Sequence, residues 1–297
     1  MAIRRPRGLS TGILAMLHGI AFVLTVATVG CRSRASQFDG ARAFGHVLAQ
    51  CSIGPRPVGS AEGQRTADYI AAELGKSGWA VEIQDFTYRG VAARNVVASR
   101  GKGPVVILGA HYDTRTRADR DPIDPSQPVL GANDGASGVA VLLELARTLD
   151  LQQASSEVWL AFFDAEDQGS INGWPFAVGA SYMAEHLSVR PVAVVVVDMV
   201  GDKDQELFWE HNSDPDLSRT LWAIAAELGF DKEFAPAYRH SVADDHIPFV
   251  KLGFTAVDII DFDYPYWHTT HDTPDKVSAA SLERVGRVLE KWIEDGI

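Results

Sequence analysis

Ser155-Ser156-Glu157-Val158-Trp159-Leu160-Ala161-Phe162-Phe163-Asp164-Ala165-Glu166-Asp167-Gln168-Gly169-Ser170 is the stretch from which the fold can be read. Its middle, residues 158–163, is apolar and aromatic without alternation, the pattern of a strand covered on both faces. The run then breaks into three carboxylates, Asp164, Glu166 and Asp167. A strand so deeply buried is expected to end at the carboxyl edge of a sheet, where open α/β folds bind their ligands. Acids crowded at such an edge repel one another unless a cation or a shared proton relieves them. A polar loop that merely follows a strand is the plain alternative, and the rest of the chain decides between the two.

Outward from this stretch, strand and helix patterns alternate. Residues 104–109, 192–197 and 254–260 are further apolar runs of strand length. Between and after them, 134–149, 178–187, 217–228, 247–252 and 278–293 read as helices; Val139, Leu142, Leu143 and Ala146 make the inward stripe of the first. On the N-terminal side, 41–50 has helical spacing, Gly54 to Ser60 is turn chemistry, and Ser60 can cap a helix over 61–74. Residues 80–86 alternate as a half-exposed strand, and 93–99 form another. The pattern predicts an α/β fold of three layers, a central mixed, mostly parallel β-sheet flanked by helices.

The chain has 297 residues, 46% of them hydrophobic, enough for one large core. A formal net charge of −12 argues against nucleic acid as a partner, since phosphate binding needs a basic surface. Arg4, Arg5 and Arg7 followed by an apolar run over 12–30 have the layout of a secretory signal. Thr28-Val29-Gly30-Cys31 resembles a lipoprotein processing site, although Thr28 stands where Leu is usual; the alternative is an uncleaved membrane anchor, interrupted by His18. The expected division is a signal over 1–30, a tether over 31–40 and one catalytic domain over 41–297. The mature protein, with net charge −15, is then exported to the periplasm or cell envelope, with lipid on Cys31. Lipidation leaves Cys51 unpaired, a small buried residue rather than a nucleophile. A Cys31–Cys51 bridge is the alternative if no lipid is added.

Polar groups of metal-ligand type stand where the apolar strands end. These are His111-Tyr112-Asp113, Asp134 in Gly131-Ala132-Asn133-Asp134-Gly135, Glu166-Asp167, Asp198, and Trp267-His268-Thr269. Five segments can thus deliver imidazole or carboxylate to one sheet edge. Mixed nitrogen and oxygen donors suit Zn2+ better than calcium or magnesium, which prefer oxygen shells. Asp113 can also hold the His111 ring in its ligating orientation.

Together with Gly109-Ala110-His111-Tyr112-Asp113 and Phe162-Phe163-Asp164-Ala165-Glu166-Asp167, these segments resemble the ordered motifs of the zinc aminopeptidase superfamily over residues 109–269. Asp244-Asp245-His246-Ile247-Pro248-Phe249 and Trp267 directly before His268 are similar to its glutaminyl-peptide cyclotransferase branch. The resemblance implies zinc on Asp134, Asp167 and His268, with Glu166 as proton shuttle. It also implies that Asp198 and Asp244 form an acidic pair sharing a hydrogen bond that holds the substrate amine. Asp167 stands where Glu is commoner in the family; being one methylene shorter, it requires the metal or the backbone to shift. Tyr264-Pro265-Tyr266 departs from the animal enzymes, and His271 competes with His268 for the ligand role.

The reaction expected on this reading is cyclisation of an N-terminal glutamine to pyroglutamate with release of ammonia. Trp267 and Trp174 would line the pocket, and peptide or protein N-termini would be the partners; for Trp174 a place in the core is as good a reading. The alternative enzyme is a two-zinc aminopeptidase, in which His111 and Asp198 complete a second site bridged by Asp134. A binding homologue without catalysis is the third possibility.

Overall fold

β4, Glu157–Phe163, is the strand read from the opening stretch, and it lies inside the sheet between β2, Val91–Gly101, and β3, Val105–His111. The computed structural model describes residues 36–152 and 154–296, so the signal, the lipid site at Cys31 and the start of the tether lie outside the described residues. The sheet has six strands in the order β1-β2-β4-β3-β5-β8, with β1 at Ala80–Tyr88, β5 at Ala193–Asp198 and β8 at Ala256–Ile260. β1, β2 and β4 pair antiparallel; β4, β3, β5 and β8 run parallel. Register sets His111 beside Phe163, Gly109 beside Val196 and Asp198 beside Ile260. The carboxyl ends of four parallel strands therefore lie along one edge.

Alternation within the buried strands supplies two cores. Val106, Leu108 and Ala110 of β3 pack with α1 (Gly40–Ile53), α3 (Ala136–Thr148) and α7 (Ala279–Glu294), while Ile107 faces α4 (Val178–Glu185). The second core also takes Phe249 of α6, Ile247–Lys251. α2, Ala61–Lys76, is capped by Ser60, whose hydroxyl accepts from the Gly63 N–H at 2.9 Å, as its sequence predicts.

Three features differ from the sequence reading. From Ser36 onward the segment read as tether belongs to the domain. Phe38 is buried against Gly286 of α7, where a Cβ would come within 2.2 Å of its ring, and Asp39 caps α1. A two-stranded parallel sheet, β6 (Leu207–Glu210) with β7 (Phe234–His240), was not anticipated. β6 is only four residues long, and β7 is largely exposed and contains Pro236, so neither carries a clean period. Cys51 is half-buried, and burial pushes its thiol up to about 11, which keeps it protonated and unreactive. α5, Pro215–Glu227, completes the helices, and among the described residues none is long and apolar enough to cross a membrane.

Candidate active site

The edge defined by β3, β4, β5 and β8 gathers the predicted ligands into two groups that share one residue. Asp134, Asp167 and His268 form the first, and His111, Asp134 and Asp198 the second; within each, the ligand atoms lie within 4.8 Å of one another. In the first, His268 Nε2 is 3.0 Å from Asp167 Oδ1 and 3.7 Å from Asp134 Oδ2. In the second, His111 Nε2 is 3.0 Å from Asp198 Oδ1 and 3.2 Å from Asp134 Oδ1. Asp134 thus turns one oxygen to each group. All five side chains are buried. His271 is exposed and belongs to neither group, whereas His268 lies in the first.

Local backbone chemistry explains how these side chains arrive. Gly135, at φ 94°, follows Asp134, and a Cβ there would stand 2.7 Å from the Asp113 carbonyl; only glycine opens α3 at this point. Asp272 accepts from the N–H groups of Asn133 (2.8 Å) and Asp134 (3.0 Å), which fixes the loop from behind. The Asn133 side chain accepts from the Gly201 N–H at 2.7 Å and donates to the Met199 carbonyl at 3.2 Å, linking this loop to the end of β5. Left-handed backbone at Ala165, Met199 and His268 marks three of the four remaining segments, His111–Asp113 being the exception. Such conformations persist in non-glycine residues only where surrounding contacts over-determine them.

The Glu166-Asp167 turn is pinned by Asp113, whose carboxylate accepts from the two N–H groups at 3.0 and 3.2 Å. His111 Nδ1 meets the Asp113 carbonyl at 3.2 Å, with the carboxylate farther away at 3.6 Å, so the backbone orients the ring more than the side chain does. Buried Arg115 donates to the carbonyls of Asp167 and Gly169, both at 3.0 Å, and pairs with Asp119. This anchor carries the shorter Asp167 side chain to His268. Asp164, the first acid of the opening stretch, turns the other way and accepts from the Arg94 and Ala165 N–H groups.

A pocket of about 120 Å3 opens over both groups, lined by Glu166, Asp198 and Asp244 and walled by Met199, Phe262 and Trp267 among others. Glu166 is in neither of the two groups. Burial, with Asp244 and Asp245 nearby, pushes its carboxyl well above the usual range despite His111. Burial raises Asp198 to about 8 and Asp167 to about 6. Burial opposes the charge on His111, yet Asp198 and the carboxylate hydrogen bonds around it hold its pKa well above the ordinary value. Asp198 and Asp244 face the same pocket, but the hydrogen bond of Asp198 goes to His111, and Asp244 Oδ2 has no partner. Trp174 lies away from the pocket, edge-on to Tyr88 at 5.0 Å, and the aromatic lining on that side is Phe176. Behind Asp244, His246 is wholly buried between Glu210 (3.2 Å) and Asp258 (3.6 Å), a cluster that sequence reasoning did not single out.

A cation fits the first group on chemical grounds. Asp134 Oδ2 and Asp167 Oδ2 are buried without any hydrogen-bond partner, which costs free energy unless something positive lies between them. Two carboxylate oxygens and an imidazole nitrogen are a competent zinc donor set with room for a further ligand.

Comparison with known proteins agrees with this geometry. The sequence model of peptidase family M28 matches residues 95–293. A leucine aminopeptidase precursor from Bacteroides thetaiotaomicron superposes with a TM-score of 0.83 at 31% identity, covering 88% of this chain and 99% of that one. A glutaminyl cyclase from the same organism, bound to N-acetylhistamine, gives 0.82 at 30% identity over 88% and 99%. Aminopeptidase YwaD of Bacillus subtilis is 28% identical over 210 residues, 65% of this chain. This chain spans about two-fifths of the length of such curated relatives.

Proposed function

The chain belongs to peptidase family M28, and from that membership we propose that it is a zinc-dependent glutaminyl-peptide cyclotransferase. It would convert an N-terminal glutamine to pyroglutamate and release ammonia. One observation carries the choice within the family. The first group leaves two carboxylate oxygens without partners, whereas in the second His111 Nε2 already faces both Asp198 and Asp134. The second group is therefore the more fully paired, and the first, with His268 Nε2 3.7 Å from Asp134 Oδ2, makes the stronger call for a cation. One ion is the number expected of the cyclase branch.

Zinc held by Asp134, Asp167 and His268 would act as a Lewis acid toward the side-chain amide oxygen of the substrate. The remaining work falls to the chain. Asp198 and Asp244 face the pocket and would hold the substrate's α-amine. As the α-nitrogen bonds to the side-chain carbonyl carbon, Glu166 would take its proton and return it to the departing nitrogen, so that ammonia leaves. Met199, Ile260, Phe262 and Trp267 wall this space with apolar surface, which keeps out the water that would compete as nucleophile.

A two-metal aminopeptidase is the second reading, favoured by the ligand spacing of His111, Asp134 and Asp198. Incubating the zinc-loaded protein with Gln-initiated and Leu-initiated peptides separates the two. Ammonia from the first with no free leucine from the second is the expected result; free N-terminal residues without ammonia would establish the aminopeptidase. The basic, apolar start of the chain supports export to the periplasm or cell envelope with lipid on Cys31. Incorporation of a labelled fatty acid, lost in Cys31→Ala, checks this.

A further inference from the structure

Phe262 and Trp267 wall the pocket beside Glu166 and, on their other side, line a second cleft of about 360 Å3 with Arg120, Tyr264, Pro265 and Thr269. Arg120 lies over this shared wall, its guanidinium carbon 4.0 Å from the centre of the Trp267 ring. Its own N–H donates to the His268 carbonyl at 3.3 Å, which ties this loop to the ligand loop. Packing on the ring, rather than a carboxylate, holds the side chain.

The nearby acids are engaged elsewhere. Asp119 is paired with Arg115 at 2.7 Å, and Asp121 accepts from Thr270 and from the N–H groups of Ile123 and Asp124. Asp263, next to Phe262, is bound by Arg239 at 3.1 Å and His240 at 3.0 Å. Among the described residues no carboxylate lies within 4.0 Å of the Arg120 guanidinium. In a chain of net charge −12, this exposed cation is left with its planar fork of donors free.

We propose that the cleft is the subsite for the residue after the N-terminal one, and that Arg120 binds a carboxylate there. This rests on the pocket beside Glu166 holding the N-terminal residue, as proposed above. Phe262 and Trp267 line both spaces, and one trans peptide step moves the chain about 3.8 Å. The carboxylate is either the side chain of an acidic second residue or the terminal carboxylate of a dipeptide. Both present two oxygens to a planar guanidinium already desolvated on one face by the tryptophan.

The test uses the full chain carrying Glu166→Gln, loaded with zinc, so that peptides bind without turnover. Calorimetry compares Gln-Glu-Ala, Gln-Ala-Ala and Gln-Lys-Ala amides, and Gln-Ala with its amide. The acidic peptide should bind about fivefold more tightly than the lysine peptide at low salt, with the gap closing as salt rises. Preference for Gln-Ala over its amide would assign the terminal carboxylate as a source. Adding Arg120→Gln should erase these preferences and Arg120→Glu should invert the first. Equal affinities, no binding of any peptide, or a preference that survives Arg120→Glu overturns the proposal. Ammonia and free amino acid made by the unsubstituted protein report on the reaction separately. A Glu-over-Lys preference without ammonia would defeat the cyclase reading and keep the subsite.

Discussion

The two ligand groups around Asp134 have nearly the same composition and different states of satisfaction. In the group with Asp167 and His268, two buried oxygens face no donor. In the group with His111 and Asp198, one imidazole nitrogen stands at 3.0 and 3.2 Å from the two carboxylates. Burial makes both expensive; the second is the more fully paired, and the first, where His268 Nε2 lies 3.0 Å from Asp167 but 3.7 Å from Asp134, leaves two oxygens that a metal ion would meet. Similar donor sets on one sheet edge can therefore differ in what they require, and the difference lies in which atoms the fold turns toward each other.

Glu166 belongs to neither group, so replacing it separates chemistry from metal binding and should give the largest effect. Glu166→Gln is expected to lower turnover by about 10²–10⁴-fold while bound zinc stays near one ion per chain. Loss of zinc together with activity would place Glu166 among the ligands. The next effect bears on the comparison itself. Asp167→Asn should weaken zinc binding by more than about 100-fold, since even outer partners of a metal site are worth about 10–100-fold. His111→Gln should leave most of the zinc in place. Equal losses in a metal-content measurement would abolish the distinction between the groups.

Protons offer a smaller but sharper test. Asp167 is raised to about 6 and Asp198 to about 8, each because burial disfavours its charged form. The folded state therefore binds protons that the unfolded chain, with ordinary carboxyls, has released. The stability these groups contribute is complete below about pH 4, and it is lost as pH rises through about 6 for Asp167 and about 8 for Asp198. His111, raised well above its ordinary value, acts in the same direction. The metal-free protein should lose thermal stability across both windows, by about 2–4 °C for each kcal/mol. Zinc confined to the first group should remove the lower window and leave the upper one. Melting curves with and without chelator from pH 4 to 9 read this directly, and disappearance of both windows would indicate two ions.

The residues of both groups could be picked out in the sequence as candidates because most stand at or after the ends of apolar strands, which converge once the sheet is parallel, and Asp134 opens a helix at the same edge. Their supports could not be. Arg115 reaches Asp167 across 52 residues, and Asp272 reaches Asp134 across 138. No period or local motif encodes contacts at that separation, and both lie in loops. Trp174 and Phe176 were indistinguishable for a related reason. Asn172, Gly173 and Ala177 around them all have left-handed backbone, so the direction of each aromatic ring depends on turns that spacing does not reveal. The β6–β7 pair escaped because one strand is too short and the other too exposed to carry a pattern.

The smallest expected effect concerns how the first group is held. The Tyr264 hydroxyl donates to Asp272 Oδ1 at 2.7 Å, and Asp272 in turn receives the N–H groups of Asn133 and Asp134. This chain ends at the shared ligand, but it acts on the backbone beneath it rather than on either carboxylate oxygen. Tyr264→Phe removes one hydrogen bond to a buried carboxyl while preserving the ring, and should cost about 1–2 kcal/mol of stability. Asp272 retains its two backbone donors, so zinc affinity should fall only a few-fold, far less than in Asp167→Asn. If urea unfolding shows the expected loss while zinc affinity collapses, the Asp134 loop has no rigidity of its own. The partnerless oxygens of the first group would then depend on Tyr264 as much as on the ligands themselves.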